Sequence, residues 1–153
     1  MAFLIYILLA LAFTLGAYQM EGGRPQILIQ PAELIMIVLP ALFLSLAATS
    51  GEAFSLSWKL LFGSPAKPET RKVKQACRYL RVYGNTSAIM GCIAAVVGFV
   101  ITCGSGQMPS WILMEKLGAA AVALVIGGFL KAICYVAEKR IEDRYLGGES
   151  QAA

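Results

Sequence analysis

Few side chains in this sequence could perform metal or redox chemistry. The chain contains no histidine, and its cysteines form no Cys-x-x-Cys pair: Cys77, Cys92, Cys103 and Cys134. Zinc sites need closely spaced cysteine and histidine ligands, so no metal centre is expected. Cysteines in or beside apolar segments usually behave as small hydrophobic residues, and we expect that role rather than a disulfide or redox role. No cofactor and no enzymatic activity are expected.

Two ionisable residues, Glu33 and Lys131, lie near the ends of apolar segments. At mid-bilayer either charge would cost roughly 2.5–3.5 kcal/mol, but near an interface Lys131 can extend its ammonium group to the water. In the segment QPAEL, Pro31 suits a first helical turn, and the helix N-terminal dipole favours Glu33. No Asp, Glu or His occupies the middle of an apolar segment. A proton path through this chain would therefore need a carboxylate from a partner.

Four apolar segments must position these residues, and they cover about residues 2–20, 32–49, 87–103 and 111–136. The 153-residue chain is 58% hydrophobic and only 14% charged, which indicates a membrane protein. Uniformly apolar segments of this length satisfy their backbone groups in lipid only as helices. The first segment lacks the basic start of a signal peptide, so we expect it to be retained. The prediction is a single all-α domain with four transmembrane helices.

The charges of the connecting segments predict the orientation. The connection over 50–86 carries seven basic residues and the tail over 137–153 carries three, whereas the connection over 21–31 carries one. The positive-inside rule places the long connection, the tail and both termini in the cytoplasm. The net charge of +4 is then a signal of topology and of contact with anionic lipid, and no nucleic-acid partner is expected.

The long connection also contains helical patterns. Its first part places large apolar side chains at helical spacing: Phe54, Trp58, Leu61 and Phe62. This spacing is typical of an amphipathic helix at a membrane surface. After GSPAKPE, a basic helix is predicted to begin near Pro68 and to be able to continue into the third apolar segment. The fourth helix is expected to extend into the charged tail and to stop near Gly147.

Small residues recur on one face of each of the last two apolar segments. They are Gly91, Ala95, Gly98 and Thr102 on the third segment, and Gly118, Ala121, Val125, Gly128 and Ala132 on the fourth. Such faces let helix backbones approach closely in lipid. Either the two faces pack within the bundle, or they face a neighbouring subunit or a central helix. The sequence leaves both interpretations open.

The stretch GAYQMEGG over 16–23, followed after six residues by QPAEL over 30–34, resembles the MotA/TolQ/ExbB family of proton channels, and most of all its flagellar stator subunits. The segments over 91–105 and 117–135 are similar to that family's third and fourth spans. The resemblance implies a homopentamer around a dimer of single-span MotB/TolR/ExbD-like partners in a bacterial inner membrane. In that arrangement a membrane Asp of the partner carries the ion, and ion flow drives rotation or mechanical work.

The resemblance also implies site residues. Those expected along the ion path or facing the partner are Ala95, Gly98, Thr102, Gly127, Gly128 and Lys131, and those expected to be structural at the outer end are Gly22, Gly23, Pro31 and Glu33. Ala95 and Gly127 stand where threonines accompany sodium in the family, which favours H⁺ as the transported ion and leaves Na⁺ open.

The chain also departs from the family pattern. Ala88 aligns with a family proline, another family proline falls near Arg140, and the connection over 50–86 is far shorter than the stator's cytoplasmic loop. The alternative is therefore a non-conducting pentameric membrane scaffold derived from this family. A small four-span drug/proton exchanger is disfavoured because the first apolar segment contains no acid.

Overall fold

The computed structural model describes residues 2–20, 31–63, 68–104 and 110–147, and all regular secondary structure in these ranges is helical. The helices are α1 (Ala2–Met20), α2 (Pro31–Ala48), α3 (Gly51–Phe62), α4 (Thr70–Gly104) and α5 (Ser110–Tyr145). No strand occurs in these ranges. The all-α prediction is confirmed.

The two longest helices, α4 and α5, form the centre of the molecule. They contain 35 and 36 residues and are therefore about 52 and 54 Å long. They run antiparallel and pack against each other along most of their length. The helix α2 packs on α4, and α3 contacts both α4 and α5. The helix α1 adds a few apolar contacts to this core, Ile7 among them.

A sharp corner separates α2 from α3, and the axes of the two helices differ in direction by 111° at this break. The hydroxyl groups of Ser45 and Thr86 lie 3.3 Å apart and join α2 to α4 just before the corner. The helix α3 buries Ser57 and Leu60, while Trp58 remains half exposed. The helix predicted for this part of the chain is confirmed.

Burial is distributed unequally between two halves of the molecule. The charged half consists of α3, residues 70–86 of α4 and residues 137–145 of α5, and it holds most of the larger buried cluster. The remaining apolar half holds a smaller cluster and leaves many large apolar side chains exposed, such as Val96 and Val100 of α4. Exposed apolar surface of this extent is expected where lipid rather than water surrounds the protein.

Two helices, α4 and α5, are each long and apolar enough to cross a membrane. A third span results if α2 and α3 are taken together as one bent span. These helices indicate a membrane protein. The segment after Pro68 and the third apolar segment form one unbroken helix, α4, and α5 continues into the charged tail as predicted. The amides of Leu146 and Gly147 both donate to the carbonyl of Glu142 where α5 ends.

Candidate functional site

Glycines set the crossing of α4 and α5 in the apolar half. A Cβ atom added at Gly127 would lie 2.8 Å from the carbonyl oxygen of Ser87 and 3.0 Å from the Cα of Gly91. A Cβ atom at Gly91 would lie 2.8 Å from the carbonyl oxygen of Ala123. Atoms this close are inside van der Waals contact, so only glycine at both positions permits the observed separation of the two backbones.

The small-residue face predicted on α4 packs within the chain. Gly98 abuts Ala120 of α5, because a Cβ atom at Gly98 would lie 3.0 Å from the Ala120 Cβ. Thr102 is buried, and its hydroxyl donates to the carbonyl oxygen of Gly98 at 2.7 Å. Ala95 packs against the buried cluster of the apolar half. Of the two interpretations left open by the sequence, close packing inside the bundle describes this face.

The small-residue face predicted on α5 is exposed along its whole length in the single chain. Its members are Gly118, Ala121, Val125, Gly128 and Ala132. Cβ atoms added at Gly118 or Gly128 would meet nothing within 4 Å. Lys131 lies next to this face and is exposed as well. The adjacent glycines Gly127 and Gly128 therefore point to different environments, the first to α4 and the second away from the chain.

The structure places the outer-end residues only in part. Pro31 opens α2 and Glu33 lies in its first turn. Gly22 and Gly23 lie outside the described residues. A further acid of the apolar half, Glu115, lies in the second turn of α5.

An ion pair between the exposed Arg81 and the buried carboxylate of Glu138, in the charged half, was missed by sequence reasoning. The side chain of Glu138 is 5% exposed and accepts hydrogen bonds from Nε and an Nη atom of Arg81, the Nε bond being 2.9 Å long. Glu142 lies 3.8 Å from the same guanidinium group and accepts a 2.7 Å bond from Lys139. The hydrogen bond and the charge of Glu138 raise the pKa of Arg81. The cluster joins α4 to α5 by fixed charges.

This pair had only a weak signal in the sequence. Glu138 lies within AEKRIEDR, a run that looks solvated throughout. Ala137 and Ile141, which lie near Glu138 in the sequence, are both buried, and so is Cys134 one turn before them. These apolar residues extend the side of α5 that packs on α4 into the charged tail. Such a face requires a helix opposite to it, and α4 supplies that helix because it starts well before the apolar segment.

No metal centre emerges from the cysteines and acids of the described ranges, where no three such side chains are grouped to hold an ion. Cys77 and Cys134 are buried, whereas Cys92 and Cys103 are exposed. Burial, followed by the nearby carboxylates of Glu142 and Glu138, raises the pKa of the Cys77 thiol to about 11. Cys77 is therefore a protonated thiol at neutral pH.

Comparisons with protein-family profiles, with curated proteins and with solved structures returned no match.

Proposed function

We propose that this chain is a four-span subunit of an ion-driven motor of the MotA/TolQ/ExbB type. In this proposal five copies surround a dimer of single-span partners in a bacterial inner membrane, and both termini lie in the cytoplasm. The motif GG…QPAEL supports the family, and the exposed small-residue face of α5 carries the assembly. The chain brings small residues to that face and covers it with none of its own described helices.

The shape of this face suits another helix. The open space at Gly118 and Gly128 allows a neighbouring backbone to come close, which is how helices associate in lipid. The middle of the face carries no acid. A conducting complex would therefore receive its carboxylate from the partner helix. The small-residue face of α5 would pack closely against that helix with apolar side chains.

The proposed topology rests on the charges. Arg81 and Glu138 are in contact, so the basic parts of α4 and α5 lie at the same end of the molecule. That end carries most of the positive charge, which favours the cytoplasmic side. If α1 and α2 each cross the membrane, both termini then lie on that side as well.

A non-conducting scaffold with the same assembly is the alternative function. The short connection supports it, because α3 and residues 70–86 of α4 pack against the chain itself instead of forming a separate rotor-binding domain. The proline positions of the family held here by Ala88 and Arg140 support it too.

The test of assembly is to co-purify the chain with the product of its neighbouring reading frame and to count subunits by cryo-electron microscopy. We expect five copies around two partner helices. The variant Gly128→Leu should abolish this complex, because a leucine there occupies the space of the partner. The control Phe13→Leu changes an exposed side chain of α1 and should assemble normally. A stable monomer or dimer without a central helix would exclude both the motor and the scaffold.

Proton flux into vesicles then separates the motor from the scaffold. The motor requires flux through the wild-type complex and through Phe13→Leu. A correctly assembled pentamer that passes neither H⁺ nor Na⁺ would establish the scaffold instead. Gly127→Leu is unsuitable for this test, because the new side chain would collide with α4 inside the chain.

A further inference from the structure

An apolar crevice runs along one side of α5. A cavity of about 440 Å³ lies between the start of α1, α3 and the central helices, and a second cavity of about 330 Å³ lies farther along, between α1 and α5. Leu130 and Ile133 line both cavities, which are therefore neighbouring parts of one crevice. Along α5 it extends from Val125 to Ala137, a helix rise of about 18 Å.

The lining excludes water as a stable occupant. Most of the side chains are aliphatic or aromatic. The two aliphatic hydroxyls in the lining are already bonded within their own helices, Thr14 to the carbonyl of Ala10 and Ser57 to that of Ala53. A buried water needs two to four polar partners, and apolar cavities without them stay dry. The occupant must therefore be apolar.

Positive charge gathers where the crevice reaches the charged half. Arg140 and Arg144 follow Ile133 by seven and eleven residues, so they lie two and three turns farther along the same face of α5. The guanidinium group of Arg144 lies 3.5 Å from the carbonyl oxygen of Gly63, directly after Phe62, which lines the crevice. An open cavity of about 490 Å³ brings Arg140 and Arg144 together with Lys139 and a single acid, Asp143.

We propose that this crevice binds an acyl chain of an anionic phospholipid whose phosphate group lies at Arg140 and Arg144. A phospholipid combines the two features that the crevice presents, an apolar chain about as long as the crevice and an anionic group at one end. Arginine binds phosphate through paired N–H groups. The excess of positive charge around Arg140 and Arg144 favours a headgroup whose phosphate charge is not offset by a choline cation. The proposal requires the membrane location alone and is independent of the ion-driven motor.

The experiment is native mass spectrometry of the purified chain in mild detergent, with phosphatidylglycerol and phosphatidylcholine added in equal amounts. We expect one retained phosphatidylglycerol per chain, with a preference of about tenfold over phosphatidylcholine. The variant Ile133→Trp fills the crevice and should lower retention by about tenfold. Ile133→Phe should give an intermediate loss. Leu124→Trp adds the same bulk at an exposed position outside the crevice and should retain lipid like the wild type.

The arginines are tested by the double variant Arg140→Gln, Arg144→Gln. It should still bind lipid but lose the preference for phosphatidylglycerol. Equal retention of the two lipids by the wild type would overturn the headgroup site, and wild-type retention by Ile133→Trp would overturn the crevice. Equal loss in Leu124→Trp would show non-specific surface lipid and would also overturn the proposal. Helix content by circular dichroism shows that each variant is folded.

Discussion

Two neighbouring glycines offer a direct test of the helix crossing. Gly127 and Gly128 are consecutive in α5, yet an added Cβ atom meets backbone atoms at 2.8 and 3.0 Å at the first position and nothing within 4 Å at the second. The comparison of Gly127→Ala with Gly128→Ala therefore changes the same residue type in the same helix and differs only in what the methyl group meets.

The expected magnitude follows from these distances. Carbon atoms prefer separations of about 3.5–4.0 Å, so a methyl group at position 127 requires α4 and α5 to move apart by several tenths of an ångström or more. Overpacking of this kind typically costs about 1–3 kcal/mol. Both substitutions gain the same helix propensity, about 1 kcal/mol, relative to glycine. Gly128→Ala should therefore be stabilising, and Gly127→Ala should be less stable than Gly128→Ala by about 1–3 kcal/mol.

The assay is unfolding by titration with sodium dodecyl sulfate, followed by circular dichroism, on the isolated chain in mixed micelles. The free energies of unfolding of the two variants are compared with that of the wild type. Gly91→Ala should resemble Gly127→Ala, because its Cβ atom would lie 2.8 Å from the Ala123 carbonyl oxygen. Equal stability of Gly127→Ala and Gly128→Ala would refute the close crossing of α4 and α5 at this point.

Two further predictions concern the charged half. Arg81→Gln should destabilise the chain more than Glu138→Gln does in sodium dodecyl sulfate unfolding. The first variant leaves the carboxylate of Glu138, which is 5% exposed, without its charged donor, whereas the second leaves the guanidinium group of Arg81, which is 64% exposed and can be hydrated. The opposite order would contradict the burial of Glu138. In a variant that retains only Cys77, maleimide labelling at pH 8 should be slow until the chain is unfolded, because the thiol is buried and its pKa is about 11. Labelling of the folded chain as fast as that of the unfolded chain would exclude this environment.

The sequence was sufficient to locate the helices along the chain but not to predict which side of each helix packs on its neighbours. Long apolar segments and the spacing of Phe54 and Trp58 locate helices directly, since periodicity and length are local properties. The side of α5 that packs on α4 could not be predicted, because glycine and alanine occur on several sides of this helix. Which of the two glycines, Gly127 or Gly128, contacts α4 depends on how the surfaces of α4 and α5 interlock, and this is a property of the two helices together.

The predicted site residues likewise fall into two groups, which the sequence did not distinguish. Gly128 and Lys131 lie on a surface open to a partner, whereas Gly98, Thr102 and Gly127 serve contacts inside the chain. Glu138 could not be identified as buried, because its neighbours in sequence are charged and its burial comes from a helix about 57 residues earlier in the chain.

The charged half also has a mechanical consequence. The ion pair between Arg81 and Glu138 ties α4 to α5, and α3 lies across them, with Phe54 in edge contact with Tyr79 and Gly63 close to Arg144. Both long helices continue without a break from the apolar half, so residues 70–86 project as a stiff lever arm about 25 Å long. A tilt of about 10° in the lipid would swing its tip by roughly 4 Å, carrying α3 along as one body.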